Sequence, residues 1–309
     1  MKKLYEKVRL AVNKAEKILI ISHRKPDSDT LGSALCLKIW LEKEGKDVTL
    51  ACCDKPSGAF SFMPGIDSFT DEFSPADFDL MIIVDVGASH MTNFHLKYAD
   101  IFECGVPVVN IDHHASNDNY GNINIVDPTA SSTTLILYRM LKYFGVNFDS
   151  KMATCLLTGI YGDTGSFMHS NTNKEVFEAA AELMKSGACV AKISGALFNT
   201  NTVPALRLWG RVFENSYITA DDVVMSVIKD ADYDEVGAGP ENLSGVVDYL
   251  SMVPGVKFAA LINEDRKGNL KGSLRTRHAG VDVSRIASVF GGGGHSKASG
   301  FIVKGKLSL

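Results

Sequence analysis

No stretch of the sequence reaches the roughly 20 consecutive apolar residues that a helix needs to cross a bilayer, so no membrane span and no membrane partner are expected. The six cysteines form no CxxC pair and show no regular spacing. That argues against a thiolate zinc site or a disulfide framework and fits a reducing cytoplasm. There is no GxxxxGK[ST] loop, and no GxGxxG follows the first apolar run, so nucleoside triphosphate hydrolysis and dinucleotide redox chemistry lack support. Internal repeats and low-complexity tracts are absent too. The opening MKKLYEKVRLAVNKAEK is too charged throughout for a signal peptide and reads as an amphipathic helix.

The composition is that of a soluble globular protein: 309 residues, 45% hydrophobic and 22% charged. This length predicts two domains. The net charge of −4 hides an asymmetry, because residues 257–306 hold ten Lys/Arg against three Asp/Glu. That segment is therefore at +7 and the remainder at −11. An acidic lobe suits metal ions and a basic lobe suits an anionic substrate.

The first half alternates β-rich runs with helical patterns. KILIISH (17–23), DVTLACC (47–53), DLMIIVDVG (79–87) and VPVVNIDHH (106–114) read as strands, and their near-continuous apolar character implies burial on both faces of a parallel sheet. DTLGSALCLKIWLEKEG and SSTTLILYRMLKYFG read as helices between strands, ended by Gly45 and Gly145. The expected architecture is an open, mostly parallel α/β sheet with helices on both faces. A helical stretch over 170–215 closes the first domain (1–200) and supplies a connector (201–216). A smaller α/β domain (217–309) follows, with strands VKFAALINE, NLKGSLRTR and ASGFIVKG.

Ligands of open α/β sheets bind at the carboxyl ends of the strands. There the first strand runs into His23, Asp27 and Asp29, the third into Asp85, and the fourth into Asp112, His113 and His114. Asp29 also reads as an N-cap of the helix after it. LLTGIYGDTGSF runs apolar into a glycine-rich turn around Asp163. Parallel strands would bring these groups to one edge. Crowded carboxylates repel and take up protons unless cations compensate them. Two divalent ions would balance four ionised aspartates, and a His/Asp set without cysteine suits Mn²⁺, Mg²⁺, Fe²⁺ or Zn²⁺, with Mn²⁺ the intracellular choice. Two ions about 3.5–4 Å apart are the arrangement of many phosphatases and nucleases.

The closing GGGGHSKASGF (291–301) joins four glycines to His295, Lys297 and Ser299. Glycines let backbone N–H groups approach an anion closely, which selects Gly293 and Gly294 together with His295 and Ser299 for substrate binding. Arg275 and Arg277, two apart on a predicted strand, share a face, and arginine grips phosphate bidentately.

SHRKPDSDTLGS, IIVDVG, NIDHHASN and GIYGDTGSF resemble, in order and spacing, the four motifs of the DHH phosphoesterase family, and GGGGHSKASGF resembles the signature of the associated DHHA1 domain. The resemblance covers nearly the whole chain. The overall size is similar to the stand-alone bacterial group that degrades very short RNA and dephosphorylates 3′-phosphoadenosine 5′-phosphate. It implies that His23 and Asp27 hold one Mn²⁺, that Asp85 bridges to a second, and that Asp29, His113 and Asp163 complete the ligand set of that second ion. It further implies that His114 faces the substrate phosphate, that Asp112 supports the histidines from behind, and that the DHHA1 domain clamps the nucleotide across an interdomain cleft. Short RNA or a mono- or dinucleotide would be the partner, with no long duplex nucleic acid, and a homodimer is compatible with the resemblance. A cyclic- or linear-dinucleotide phosphodiesterase is the alternative enzyme. A non-catalytic nucleotide sensor is the reading from another class.

Overall fold

The chain runs through α1 (Lys2–Lys14), β1 (Lys17–Ile21), α2 (Ser28–Lys43), β2 (Asp47–Ala51), β3 (Phe69–Thr70), β4 (Leu80–Val84), β5 (Val108–Asp112), β6 (Ile123–Val126), α3 (Thr133–Tyr143), α4 (Ser150–Asp163), α5 (Lys174–Lys185) and α6 (Val190–Phe198). These elements belong to the first of two units, Met1–Thr200 and Asn201–Leu309. The structure is a computed structural model and describes residues 1–99, 101–198 and 202–307.

The six strands lie in the order β3-β2-β1-β4-β5-β6, every neighbouring pair parallel. Their side chains alternate between two cores, which is why the apolar runs are nearly continuous. Ile18, Ile20, Leu80, Ile82, Val109 and Ile111 face the helices, in one core with Val8, Leu31, Leu135 and Leu156. Helices α1 to α6 all contribute to that face. Leu19, Ile21, Met81, Ile83 and Val108 face the other way, against Phe94 and Ile101. Here the structure differs from the expected helices on both faces. This second face is covered by single 3₁₀ turns at Ser89–Thr92 and Phe94–Leu96 and by packed aromatics, Phe73 lying 4.9 Å from Phe94 and 4.8 Å from Tyr98. Large rings fill in one layer the depth that an α-helix would occupy.

The second unit contains α7 (Val203–Glu214), β7 (Tyr217–Ile218), β8 (Val223–Ile228), α8 (Asp230–Val236), α9 (Val246–Leu250), β9 (Phe258–Glu264), β10 (Asn269–Arg275), α10 (Val283–Val289), β11 (Gly293–Gly294) and β12 (Ala298–Lys304). Its sheet order is β11-β12-β10-β9-β8-β7, with only β8 and β9 parallel. The expected connector is, for most of its length, helix α7. Its Leu208 and Val212 are fully buried in one core with Tyr233, Val247 and Leu261. A helix that buries its apolar side chains in one unit is part of that unit. The expected domain boundary itself, between residues 200 and 201, lies outside the described residues.

Candidate metal centre

The chain leaves β1 to build β2 and β3 on one side, then returns to place β4 on the other side of β1. That reversal opens a crevice at the carboxyl ends of β1 and β4, where ligands of open α/β sheets bind. His23 and Asp27 follow β1, Asp85 follows β4, and Asp112 ends β5, with His113 and His114 directly after it.

Asp85 is 2% exposed and divides its carboxylate. One oxygen, Oδ2, lies 3.6 Å from His23 Nε2. The other, Oδ1, lies 3.6 Å from His113 Nε2 and 3.7 Å from His114 Nδ1. His23 Nε2 is also 3.8 Å from Asp27 Oδ2, and His113 Nε2 is 3.1 Å from Asp163 Oδ2. Ligand atoms of His23, Asp27 and Asp85 fall within 4.8 Å of one another, as do those of Asp29, Asp85 and His113. Both triads contain Asp85, as does a third group, Asp85, Asp112 and His114. Asp85 sits at φ 59°, a left-handed backbone that aspartate tolerates better than bulkier residues and that functional sites often keep.

Hydrogen bonds within the fold hold Asp27, Asp29 and Asp85 in place. Asp27, not Asp29, caps α2: its Oδ1 accepts from the Asp29 and Thr30 amides at 2.9 and 3.1 Å, leaving Oδ2 for the His23 side. Asp29 lies in the first turn of α2, fully buried, and reaches across to α3. It accepts from the Thr133 and Thr134 amides at 2.6 and 2.9 Å and from the Thr134 hydroxyl at 2.6 Å. The Thr133 hydroxyl donates to Asp85 Oδ1 at 3.1 Å. Thr133 and Thr134 are residues that sequence reasoning missed, although SSTT stands out as a polar start to an apolar helix. The turn expected around Asp163 is instead the last residue of α4. The glycines before it serve close packing: a Cβ on Gly159 would meet the Thr134 side chain at 2.4 Å and Asp29 Oδ1 at 2.6 Å. Gly32 likewise lets α2 approach α4, since a Cβ there would lie 2.4 Å from the Cys155 carbonyl oxygen.

Protons compensate this cluster when cations do not. Burial, then repulsion from Asp85, pushes Asp29 up to about 7; burial, then Asp29, does the same to Asp163. Burial also raises Asp85. Burial would lower His23, but hydrogen bonding to Asp27 and Asp85 outweighs it and holds the ring up to about 12. His113 is raised against burial by Asp163, and His114 by Asp112. Carboxylates and imidazoles both raised above their usual ranges mark a site short of positive charge. Oxygen and imidazole donors without thiolate fit divalent Mg²⁺, Mn²⁺, Fe²⁺ or Zn²⁺, and the arrangement is that of a divalent-metal site.

The residues assigned to substrate binding lie in the second unit. Arg275 ends β10, its Nε donating to Asp248 Oδ1 at 2.7 Å and its Nη1 to the Leu274 carbonyl at 3.0 Å. Arg277 lies beyond the strand and leans on Ser251, 3.4 Å away. Gly293 and Gly294 form the short edge strand β11 beside β12, and His295 and Ala298 exchange backbone hydrogen bonds across a tight turn. Gly294 is at φ 135°, where a Cβ would meet the Ala298 carbonyl at 2.6 Å. Its lack of a side chain thus serves the hairpin itself. Ser299 departs from expectation. It is 6% exposed and its hydroxyl donates to the Val283 carbonyl at 2.7 Å, so it ties β12 to the start of α10 rather than facing a ligand.

Residues 17–160 match the DHH family, N-terminal domain, and residues 221–308 match the DHHA1 domain. The chain is 30% identical to a Thermus thermophilus protein named bifunctional oligoribonuclease and PAP phosphatase NrnA, over 97% of this chain and 90% of that one. A Bacillus subtilis protein of the same name is 25% identical over 92% of this chain and 88% of its own. The crystal structure of an exopolyphosphatase-related protein from Bacteroides fragilis is similar with a TM-score of 0.91 at 25% identity, covering 99% of this chain and 93% of that one.

Proposed function

Because the chain belongs to the DHH family, with a DHHA1 domain after the catalytic one, we propose that it is a metal-dependent phosphoesterase that cleaves very short RNA from one end and removes the 3′-phosphate of 3′-phosphoadenosine 5′-phosphate. It is a hydrolase of phosphate esters. The observation that carries the reading is the divided carboxylate of Asp85, one oxygen toward His23 and the other toward His113 and His114.

His23, Asp27 and Asp85 would hold one ion, and Asp29, Asp85, His113 and Asp163 the other, with Mn²⁺ the proposed metal. When bound, the pair supplies Lewis acidity toward a phosphoryl oxygen and an acidified water as nucleophile. The chain's own residues do the rest. Asp112 accepts from His114 Nδ1 at 2.7 Å and so fixes that ring's orientation toward the phosphate. Thr133 and Thr134 keep Asp85 and Asp29 from rotating. Arg275, His295 and the backbone of Gly293 and Gly294 would hold the nucleotide. With all six cysteines free, the proposed setting is the reducing cytoplasm.

The test is purified protein with Mn²⁺ on RNA of two to about 24 nucleotides, cyclic dinucleotides and 3′-phosphoadenosine 5′-phosphate, at low and physiological salt. Turnover confined to the shortest RNA and the bisphosphate supports the proposal. Rates that climb steadily with RNA length would point to a processive nuclease, and exclusive action on cyclic dinucleotides to the alternative phosphodiesterase.

A further inference from the structure

We propose that Asn117 is a positioning residue of the phosphoester cleavage, acting on His114 through Asp112. The proposal rests on the phosphoesterase reading above. Asn117 lies on the turn after β5, where its backbone N–H donates to the His114 carbonyl at 3.1 Å. Its side chain is the structural clasp. Nδ2 donates to Asp112 Oδ2 at 2.6 Å and to the Val86 carbonyl at 3.1 Å. Oδ1 accepts from Asn110 Nδ2 at 2.9 Å and from the Asn119 amide at 2.8 Å.

Those two acceptors and two donors allow only one orientation of the amide. Asn110 is itself buried and held by Asn124, 3.0 Å away on β6, so the clasp is anchored in the sheet. The consequence falls on Asp112, which is fully buried. Its Oδ1 already accepts from the His113 amide at 2.8 Å and from His114 Nδ1 at 2.7 Å, and Asn117 supplies the donor for the second oxygen. Without it a buried carboxylate oxygen lacks its partner, and the carboxylate is free to turn away from His114. The second Asn117 contact, to Val86, binds the same clasp to the residue after Asp85. One side chain therefore sets the spacing between the divided carboxylate and the substrate-facing histidine.

The experiment is a double-mutant cycle of Asn117→Ala with His114→Ala on a dinucleotide with Mn²⁺, beside Asn117→Asp, which keeps the size but removes the donors. In the wild-type background, either Asn117 variant should lower kcat roughly 10- to 100-fold, the usual cost of removing an outer hydrogen-bond partner. KM and the Mn²⁺ content should hold within about 2- to 3-fold, within the span of a minor binding change. With His114→Ala already in place, Asn117→Ala should cost almost nothing more, because residues that act as one unit are not additive. Equal losses in both backgrounds, or unchanged kcat in Asn117→Asp, would overturn the proposal. A second readout needs no turnover: with diamagnetic Mg²⁺ bound, the downfield His114 Nδ1 proton should be seen in the wild type and lost or broadened in both Asn117 variants. Its survival in them also overturns the proposal, whereas an inactive wild type that keeps this signature refutes only the phosphoesterase reading.

Discussion

Replacing Asp85 by asparagine keeps the shape of the side chain and removes one charge, and its effect should have opposite signs with and without metal. The carboxylate oxygens lie 3.6 Å from His23 and 3.6 Å from His113, so each faces the donors of a different ion position. Losing a unit charge at about 4 Å from a cation costs about 4 kcal/mol per unit of cation charge at an effective dielectric of 20, a lower bound for a divalent ion. That is nearly three powers of ten in affinity at each position. At a Mn²⁺ concentration of about 100 times Kd, binding stabilises the wild type by about 2.7 kcal/mol. For a unit of this size that is a rise in Tm of roughly 5–11 °C. The variant, with its Kd raised almost a thousandfold, should rise by less than about 1 °C. Without metal the order should reverse. Burial disfavours the ionised Asp85, so the neutral amide should leave the metal-free fold as stable as the wild type or more so. Thermal unfolding with and without Mn²⁺, together with elemental analysis and turnover, reads all of this. A metal-free Asp85→Asn that unfolds well below the wild type, or one that keeps its full Mn²⁺ response, would refute the assignment of Asp85 as the shared ligand.

Gly159→Ala should cost about 1–3 kcal/mol of stability and weaken Mn²⁺ binding together, because its Cβ would press on Thr134 and Asp29 at 2.4 and 2.6 Å; paired melting and metal titrations would show it, and an unperturbed variant would mean that α4 moves aside freely. Arg275→Ala and His295→Ala should raise KM roughly 10- to 100-fold while sparing Mn²⁺ affinity, as expected for the loss of about 1.5–3 kcal/mol of charge-assisted hydrogen bonding. Loss of metal instead of substrate would misplace them. Mn²⁺ binding near pH 6 should release protons, since Asp29 and Asp163 stand at about 7 in the metal-free protein. The same raised groups hold protons in the folded state that the unfolded chain gives up near pH 4. Their contribution to metal-free stability should therefore be fully present below about pH 4 and lost as the pH rises through 7, a loss that added Mn²⁺ offsets. Calorimetry in buffers of different ionisation enthalpy measures the first effect, and melts across pH the second.

The strands β1, β2, β4 and β5 were legible because burial on both faces leaves an apolar run that polar residues do not interrupt. Strand β6 was not, since only Ile125 of its four residues is fully buried and the rest resemble loop. In α4 the glycines of GIYGD read as a turn. They are there for contact with α2 and α3, a reason that exists only once the helices are packed. The cluster His23, Asp27, Asp85, Asp112, His113, His114 could be anticipated from the strand-end rule, because topology alone brings those residues together. The support of Asp29 could not, as its partners Thr133 and Thr134 are 104 and 105 residues away in sequence. Ser299 shows the opposite failure. A serine within a glycine-rich loop looks available, and nothing local reveals that its hydroxyl turns inward to Val283.

The grip of the α3 backbone on Asp29 bears on how the enzyme would be loaded. In many small metal-binding domains the ion supplies the folding free energy, and the apoprotein is unstructured. Here Asp29, a proposed ligand, is already clamped by two amides and a hydroxyl of another helix, inside a core formed by helices and a sheet. The ion would meet a finished receptacle and spend little of its binding energy on ordering chain. Loading would then be a matter of entry and exchange: a chelator should withdraw the ion, and another divalent ion should replace it, while the polypeptide keeps its native shape throughout.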